Sequence, residues 1–469
     1  MESSVELSVE TSLCSSSMSD GDERCFPNNF PPLEEPHYSL PPELAEQLAA
    51  SISDQLVYIS SPSSYSALLG VAAASVSPKD DGTIYTGSGG LALLFIRLGQ
   101  HTQAEKYLER SLYNVSQVRV TFLCGSPGPL TLLAVLRHRQ GAAPDLSQIL
   151  SLASQVTDLS SGLPDELLYG RAGYLHCLLY LRQELGDAAV PTIIIRKVVE
   201  AILRSGAAMS RATKSRSPLM FAWHDKVYIG AAHGLAGILV TLLAARYCVT
   251  PAEMSEWVQP SVDYVLNMQM ESGNFPSSKG SVVTPLSPPR SDPRSLSGND
   301  KDRLVHWCHG APGVCHLMLA AHKVSHPHPS HTLVLTAVAR CGAETRTSTW
   351  WPPGAGGSWS GRGASSRRGP ASVTGSRGTD THSSTCTRWA ALSKPPVSRQ
   401  HKADAQVTGE EVWLYRAAMF GQWLTELVRK DQNIPDRPLS LFEGIAGAVH
   451  FLHDLTHEPK TAKFPCLMI

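Results

Sequence analysis

From Tyr85 to about Leu335 the chain repeats one pattern of apolar and polar positions. A segment with a single apolar stripe leads to a Gly-rich turn, then to a segment apolar on every side, then to a polar connector. Ala104 to Tyr113 and Val198 to Ser205 are striped; Leu91 to Ile96 and Val314 to Leu319 are apolar all round. A striped helix covers a core, whereas one apolar on all sides lies within it. The pattern therefore predicts two concentric layers of helices. Six Gly-x-x-Gly turns introduce the inner segments, beginning at Gly87, Gly125, Gly170, Gly234, Gly310 and Gly444. A unit recurring at tens of residues means a repeat fold in which neighbours bury one another. The fold class is all-α: an α/α toroid of six to seven helical hairpins. The turn glycines are expected to supply positive φ and close backbone approach. The inner-helix N-termini are expected to turn free N–H groups towards one shared rim, and the working site is placed there.

The intervals between first glycines are 38, 45, 64, 76 and 134 residues. The last is about twice the mean of the others, so one hairpin between Gly310 and Gly444 is disrupted. That interval holds residues 345–405, rich in Ser, Thr, Arg, Gly and Pro and nearly without aliphatic side chains. Such a composition cannot build a buried helix pair, and it reads as out-of-frame or mis-spliced sequence. Residues 279–299 form a second irregular insert, read as a surface loop. Residues 1–40 read as a flexible arm and 41–469 as one toroid domain. Helices are expected from Pro41, with Leu44, Leu48, Ile52 and Leu56 on one face, and over Glu410 to Val428, with Val412, Tyr415, Met419, Trp423 and Leu427 on another.

Composition narrows the function. The net charge of −1 gives no basic surface for nucleic acid. Ten cysteines scattered without a dense pairing pattern suit thiols in a reducing compartment. No apolar run of about 18 residues spans a membrane, and the Met1-Glu2-Ser3 start lacks the glycine used for myristoylation. The expected location is cytoplasmic.

The candidate chemistry gathers at the turns. Cys308, between Trp307 and His309-Gly310, is a soft donor suited to Zn²⁺, although a zinc site needs three protein ligands or more; its other reading is a small buried hydrophobe. His233, just before Gly234, can serve as an acid–base group or as a structural histidine at a helix start. Glu166 and Arg171, either side of Gly170, can reach the rim or simply pair with each other. Glu443, before Gly444, complements a helix N-terminus, and Cys124 reads as core. Glu166 and Glu443 would also be the carboxylates of a glycoside-processing barrel.

Several stretches are specific when taken together: Val120-Thr-Phe-Leu-Cys124-Gly, Asp165-Glu-Leu-Leu-Tyr-Gly-Arg171-Ala-Gly-Tyr, Gly230-Ala-Ala-His233-Gly-Leu-Ala-Gly237, Leu304-Val-His-Trp-Cys308-His-Gly-Ala-Pro-Gly313 and Ser440-Leu-Phe-Glu443-Gly. On these the chain resembles the LanC-like family, eukaryotic relatives of bacterial lanthionine cyclases, and most closely its LanC-like 1 and 2 branch. The resemblance implies a seven-hairpin toroid with zinc at the central rim, glutathione as ligand, and addition of a thiol to electrophiles or dehydrated residues of peptides and proteins. It makes Cys308 the first zinc ligand, His233 the acid–base histidine and Glu166 a functional acid, with Arg171 beside it. It makes Asn433, Ile434, Pro435 and Asp436 the glutathione-contacting segment, although an Arg is commoner at position 433. It also implies peripheral association with the plasma membrane. The family's second Cys-His-Gly, about 45 residues beyond the first, is absent here. Its place falls near Gly354-Ala-Gly-Gly357, inside the anomalous stretch. One thiolate alone holds zinc weakly, so the implied enzyme is impaired, and a non-catalytic glutathione- or protein-binding toroid is the alternative.

Overall fold

The computed structural model describes residues 38–69, 81–270, 273–281, 304–324, 411–430, 437–458 and 464–467. The arm 1–37, most of the 279–299 insert, the 345–405 stretch and Asn433 to Asp436 lie outside the described residues. The longer helices are α1 (Pro42–Ser60), α2 (Pro62–Leu69), α3 (Ser88–Arg97), α4 (His101–Asn114), α5 (Pro127–Arg139), α6 (Arg171–Leu185), α7 (Thr192–Ala212), α8 (Leu235–Ala244), α9 (Gln259–Leu266), α10 (Ala311–Val324), α11 (Glu411–Lys430) and α12 (Ile445–His457). Strands β1 (Lys226–Tyr228) and β2 (Ser278–Ser281) pair antiparallel, with Lys226 opposite Ser281.

The two layers fall where the apolar pattern places them. Helices α3, α5, α6, α8, α10 and α12 are inner, and each starts at a Gly-x-x-Gly turn. They pack in the order α3, α5, α6, α8, α10, and α12 returns to α3, so the chain is an all-α toroid. Every residue of α8 from Leu235 to Leu243 is buried, as a helix inside a ring of helices must be. Outside, α4 lies on α3, α7 on α6, α9 on α8, and α1 on α11 and α12. Leu44, Leu48 and Ile52 of α1 are buried, as the spacing predicts.

On α11 the buried side is not the large-residue stripe. Leu414, Ala417, Ala418 and Leu424 are buried, while Tyr415, Met419 and Trp423 remain partly exposed. The cause is a close crossing: a Cβ on Gly421 would lie 2.8 Å from Leu455 Cδ2 and 3.4 Å from Leu48 Cδ2. Small residues let α11 settle between α1 and α12, and the larger ones flank that contact.

The turn glycines have one shared reason, and it is not positive φ. Gly87, Gly170, Gly234 and Gly444 are extended, with φ between −113° and −129°; Gly310 alone among the six is positive, at 102°. At the first glycine of all six turns a Cβ would lie 2.0 to 2.5 Å from the carbonyl group six residues earlier. Each loop thus folds back over its own helix start. The same fold-back occupies the N–H groups expected to be free: Ser88, Arg171, Ala236 and Ile445 donate to the carbonyls of Asp81, Pro164, Ile229 and Pro438 at 2.8 to 3.0 Å. The rim is therefore not a ring of open N–H donors, and its chemistry comes from side chains. Adjacent loops are tied to each other as well, by Tyr85 N–H to Leu123, Phe122 N–H to Gly173 and Leu167 N–H to Ala232.

His176 on α6 is buried between Phe122, whose ring centroid lies 4.9 Å away edge-on, and Tyr180. Burial pushes its pKa from 6.5 down to about 4. The folded protein holds the ring neutral, and the unfolded chain takes up a proton below pH 6.5. Its stabilising contribution is present above that value and is lost as the pH falls towards 4. Acidification from pH 7 to 5 is expected to cost the parent about 2 kcal/mol more than the His176→Phe variant, a difference that urea melts at the two pH values check.

Candidate functional site

Glu166 sits in the loop that feeds α6, two per cent exposed. Its Oε2 accepts the Leu168 N–H at 2.9 Å and its Oε1 accepts the Tyr169 N–H at 2.5 Å. With both oxygens held by its own loop, the carboxylate points across the ring to the next repeat. There Oε2 meets His233 Nδ1 at 2.7 Å. A carboxylate on Nδ1 holds the proton on that nitrogen and leaves Nε2 as the basic edge of the imidazole. The His233 side chain keeps 17% of its surface in solvent, so the ring is reachable.

The His233 loop abuts the Cys308 loop, since a Cβ on Gly230 would lie 2.1 Å from the Cys308 carbonyl oxygen. His309 stacks obliquely near Tyr228 at 5.7 Å, and Tyr228 lies 5.8 Å from His233. Burial, reinforced by the nearby His233, His306 and Lys226 side chains, pushes the His309 pKa down to about 3. Burial alone pushes His306 to about 4. Both rings are neutral near pH 7. The structure thus brings Glu166, His233 and the Cys308-His309 turn to one sector of the rim.

Among the described residues, the metal donors at this sector are incomplete. Cys308 is buried, yet among the described residues no three His, Cys, Asp or Glu side chains group as metal ligands. The stretch where a second Cys-His-Gly would stand, near residues 354–357, lies outside them. Cys124 is core, as expected, with burial pushing its thiol well up.

Arg171 takes a different place from the one expected. It pairs with Asp165 at 3.0 Å, not with Glu166. Its remaining donors reach the carbonyls of Val156, Leu163 and Asp158 at 2.6 to 2.9 Å. Two per cent exposed and held by four hydrogen bonds, it anchors the loop that carries Glu166. Glu443 is buried before α12. Because the Glu166 carboxylate is taken up by His233 and two amides, it does not offer the free acid that a glycoside-processing pair requires.

Aromatic residues that the sequence did not flag surround the imidazole. Tyr169 and Trp223 lie 6.0 Å from His233, their planes within 21° and 15° of it, and 5.7 Å from each other. Tyr169 precedes a turn glycine, and that position was its one available signal; Trp223 had none.

The family model for lanthionine synthetase C-like proteins matches residues 78–341, more than half of the chain. The chain belongs to the LanC-like family. A curated relative, glutathione S-transferase LANCL1 of Danio rerio, is 34% identical over 439 residues, covering 91% of this chain and 93% of the relative. Among solved structures, nisin cyclase aligns with 81% of this chain and 89% of its own at 14% identity and a TM-score of 0.45. Among the described residues of this LanC-like chain, no helix is long and apolar enough to cross a membrane.

Proposed function

We propose that this LanC-like protein adds the thiol of glutathione to electrophilic carbon, including dehydroamino acids in peptides and proteins, to form a thioether. The observation that carries the reading is the 2.7 Å contact between His233 Nδ1 and Glu166 at the rim beside Cys308. The name of the Danio rerio relative supports glutathione as the thiol.

In this mechanism His233 Nε2 takes the proton of the incoming S–H. The sulfur electron pair forms the S–C bond at the β-carbon of a dehydroalanine, and the C=C π pair moves towards the α-carbon and its carbonyl. Nε2–H then returns the proton to the α-carbon. The elements of S–H are added across one double bond, and nothing is oxidised or reduced. Glu166 holds the ring's orientation and stabilises the imidazolium between the two transfers. Zinc, where family members bind it, supplies a thiolate at neutral pH. The donor set described in this chain does not fit that ion, so His233 carries the proton chemistry alone and the rate lies below that of a chain with complete ligands.

Mass spectrometry tests the activity: the chain, glutathione and a dehydroalanine peptide are expected to give the thioether faster than glutathione and peptide do without protein. No acceleration, with glutathione still bound in calorimetry, would leave the toroid a binding module, the reading that the incomplete donor set favours. Zinc analysis tests the impairment. The purified chain is expected to hold well under one zinc per molecule; about one zinc, lost on Cys308→Ala, would mean that a full ligand set exists after all.

A further inference from the structure

His233 and Glu166 move and steady a proton, but neither holds the body of glutathione. The six loop carbonyls that press on the turn glycines belong to Asp81, Arg119, Pro164, Tyr228, Leu304 and Pro438. These residues take equivalent places at the rim, one in each repeat. Tyr228 stands there with its ring within 5.8 Å of those of His233 and His309. Arg119 is the one cation of the six. A Cβ on Gly125 would lie 2.0 Å from its carbonyl oxygen, so the backbone that carries its side chain is fixed. The residue is exposed, and its guanidinium sits 4.7 Å over the Tyr169 ring, whose centre lies 6.0 Å from that of His233.

The contact with Tyr169 positions the guanidinium without using up its N–H fork. Among the described residues, no carboxylate or carbonyl accepts a hydrogen bond from that fork. Asp81 and Glu166 act electrostatically on the same neighbour, Cys124, as Arg119 does, but both are engaged elsewhere. Asp81 accepts from the Thr83 N–H at 2.8 Å and the Thr86 hydroxyl at 2.6 Å. Glu166 is buried and held by two amides and His233. Their negative charge offsets that of Arg119 at a distance, so the guest is selected by direct, bidentate hydrogen bonding and not by a long-range field. Glutathione offers two carboxylates. The γ-glutamyl one has an ammonium on the same carbon, which a guanidinium repels, whereas the glycine one stands alone. From the cysteine to that glycine end is about two extended residues, roughly 7 Å. With a hydrogen bond at either end, this reach spans the two ring contacts between His233 and Arg119.

We infer that Arg119 is a glutathione-binding residue whose guanidinium takes the glycine carboxylate while the thiol lies at His233. This inference rests on the proposed function and names the group that holds its thiol substrate. Isothermal titration calorimetry with the full chain tests it, using glutathione and the glutathione ethyl ester blocked at the glycine carboxylate. The parent is expected to bind glutathione about tenfold more tightly than the ester, the worth of a charge-assisted pair. Arg119→Ala should bind glutathione as weakly as the ester. Arg119→Lys keeps the charge without the fork and should recover part of the preference. Circular dichroism confirms the fold of each variant. Equal binding of glutathione and ester by the parent overturns the anchor and leaves the proposed thiol addition standing, a result that needs no variant. A preference that survives in folded Arg119→Ala also overturns it. Binding of neither ligand by the parent overturns the glutathione reading together with the anchor.

Discussion

Replacing His233 by Ala lowers the rate of glutathione addition to a dehydroalanine peptide by about 10²- to 10⁴-fold, the range that a positioned general acid–base group supplies. Stability changes little by comparison, because the ring is partly exposed and its one strong bond runs to a carboxylate that keeps two amide donors. Glu166→Gln tests the same pair from the other side. Oε2 accepts from both Leu168 N–H and His233 Nδ1, and Oε1 accepts from Tyr169 N–H. Every partner at Glu166 is a donor in the active tautomer, and a glutamine must present an NH₂ to at least one of them. Turned towards the backbone, that NH₂ opposes an N–H and opens the loop. Turned towards His233, it forces the proton onto Nε2 and removes the base. Glu166→Gln is therefore expected to lose at least tenfold in rate and about 1–3 kcal/mol in stability, the cost of leaving buried donors unmatched. Rates from mass spectrometry and melts from urea separate the two effects. A folded His233→Ala protein with the parent's rate would remove the proposed chemistry.

Helix class was legible because the Leu91–Ile96 segment of α3 and nearly all of α8 are apolar on every side, while α4 and α7 show a stripe. The six Gly-x-x-Gly turns marked each inner helix. What periodicity could not tell was why glycine stands there, since the fold-back of each loop is a backbone contact across six residues. For the same reason it left the N–H groups open when the loop carbonyls in fact close them. The site was legible in part. His233 and Glu166 stood out by position beside their glycines, but nothing in the spacing could say that they meet across two repeats 67 residues apart. Arg171 was misplaced because Asp165 and Glu166 are adjacent acids, and only the fold decides which one faces inward. Trp223 lies in a connector without periodicity, where only strand pairing brings it to the rim. The predicted face of α11 is met only in part: Met419 and Trp423 rest against the core, but the closest contact is made by the small residues Gly421, Ala417 and Ala418, which a search for a stripe of large residues passes over.

Arg171→Ala is expected to be among the most damaging single substitutions to stability, at about 3–5 kcal/mol. The guanidinium is two per cent exposed and closes four hydrogen bonds, three to backbone carbonyls and one to Asp165. Removing it leaves a buried carboxylate supported chiefly by the Ser205 hydroxyl, at 2.5 Å. It also strands the carbonyls of Val156, Asp158 and Leu163, which lie in the segment leading to Glu166. Lysine keeps the charge but not the planar fork, so Arg171→Lys should recover only part of the loss. Arg171→Met with Asp165→Leu removes the stranded charge as well, and it should recover more than Arg171→Met alone while the three carbonyls remain unmatched. Urea melts rank these variants. Activity per folded molecule then says whether the anchor matters to chemistry: the Ala172 N–H donates to the Asp165 carbonyl and the Leu167 N–H to Ala232, so Glu166 is pinned between two fixed points. A loop loosened at Asp165 lets the carboxylate drift from His233, and the rate falls further than the folded fraction does. If the rate instead follows the folded fraction alone, Arg171 serves the fold and Glu166 is held sufficiently by its own two amides.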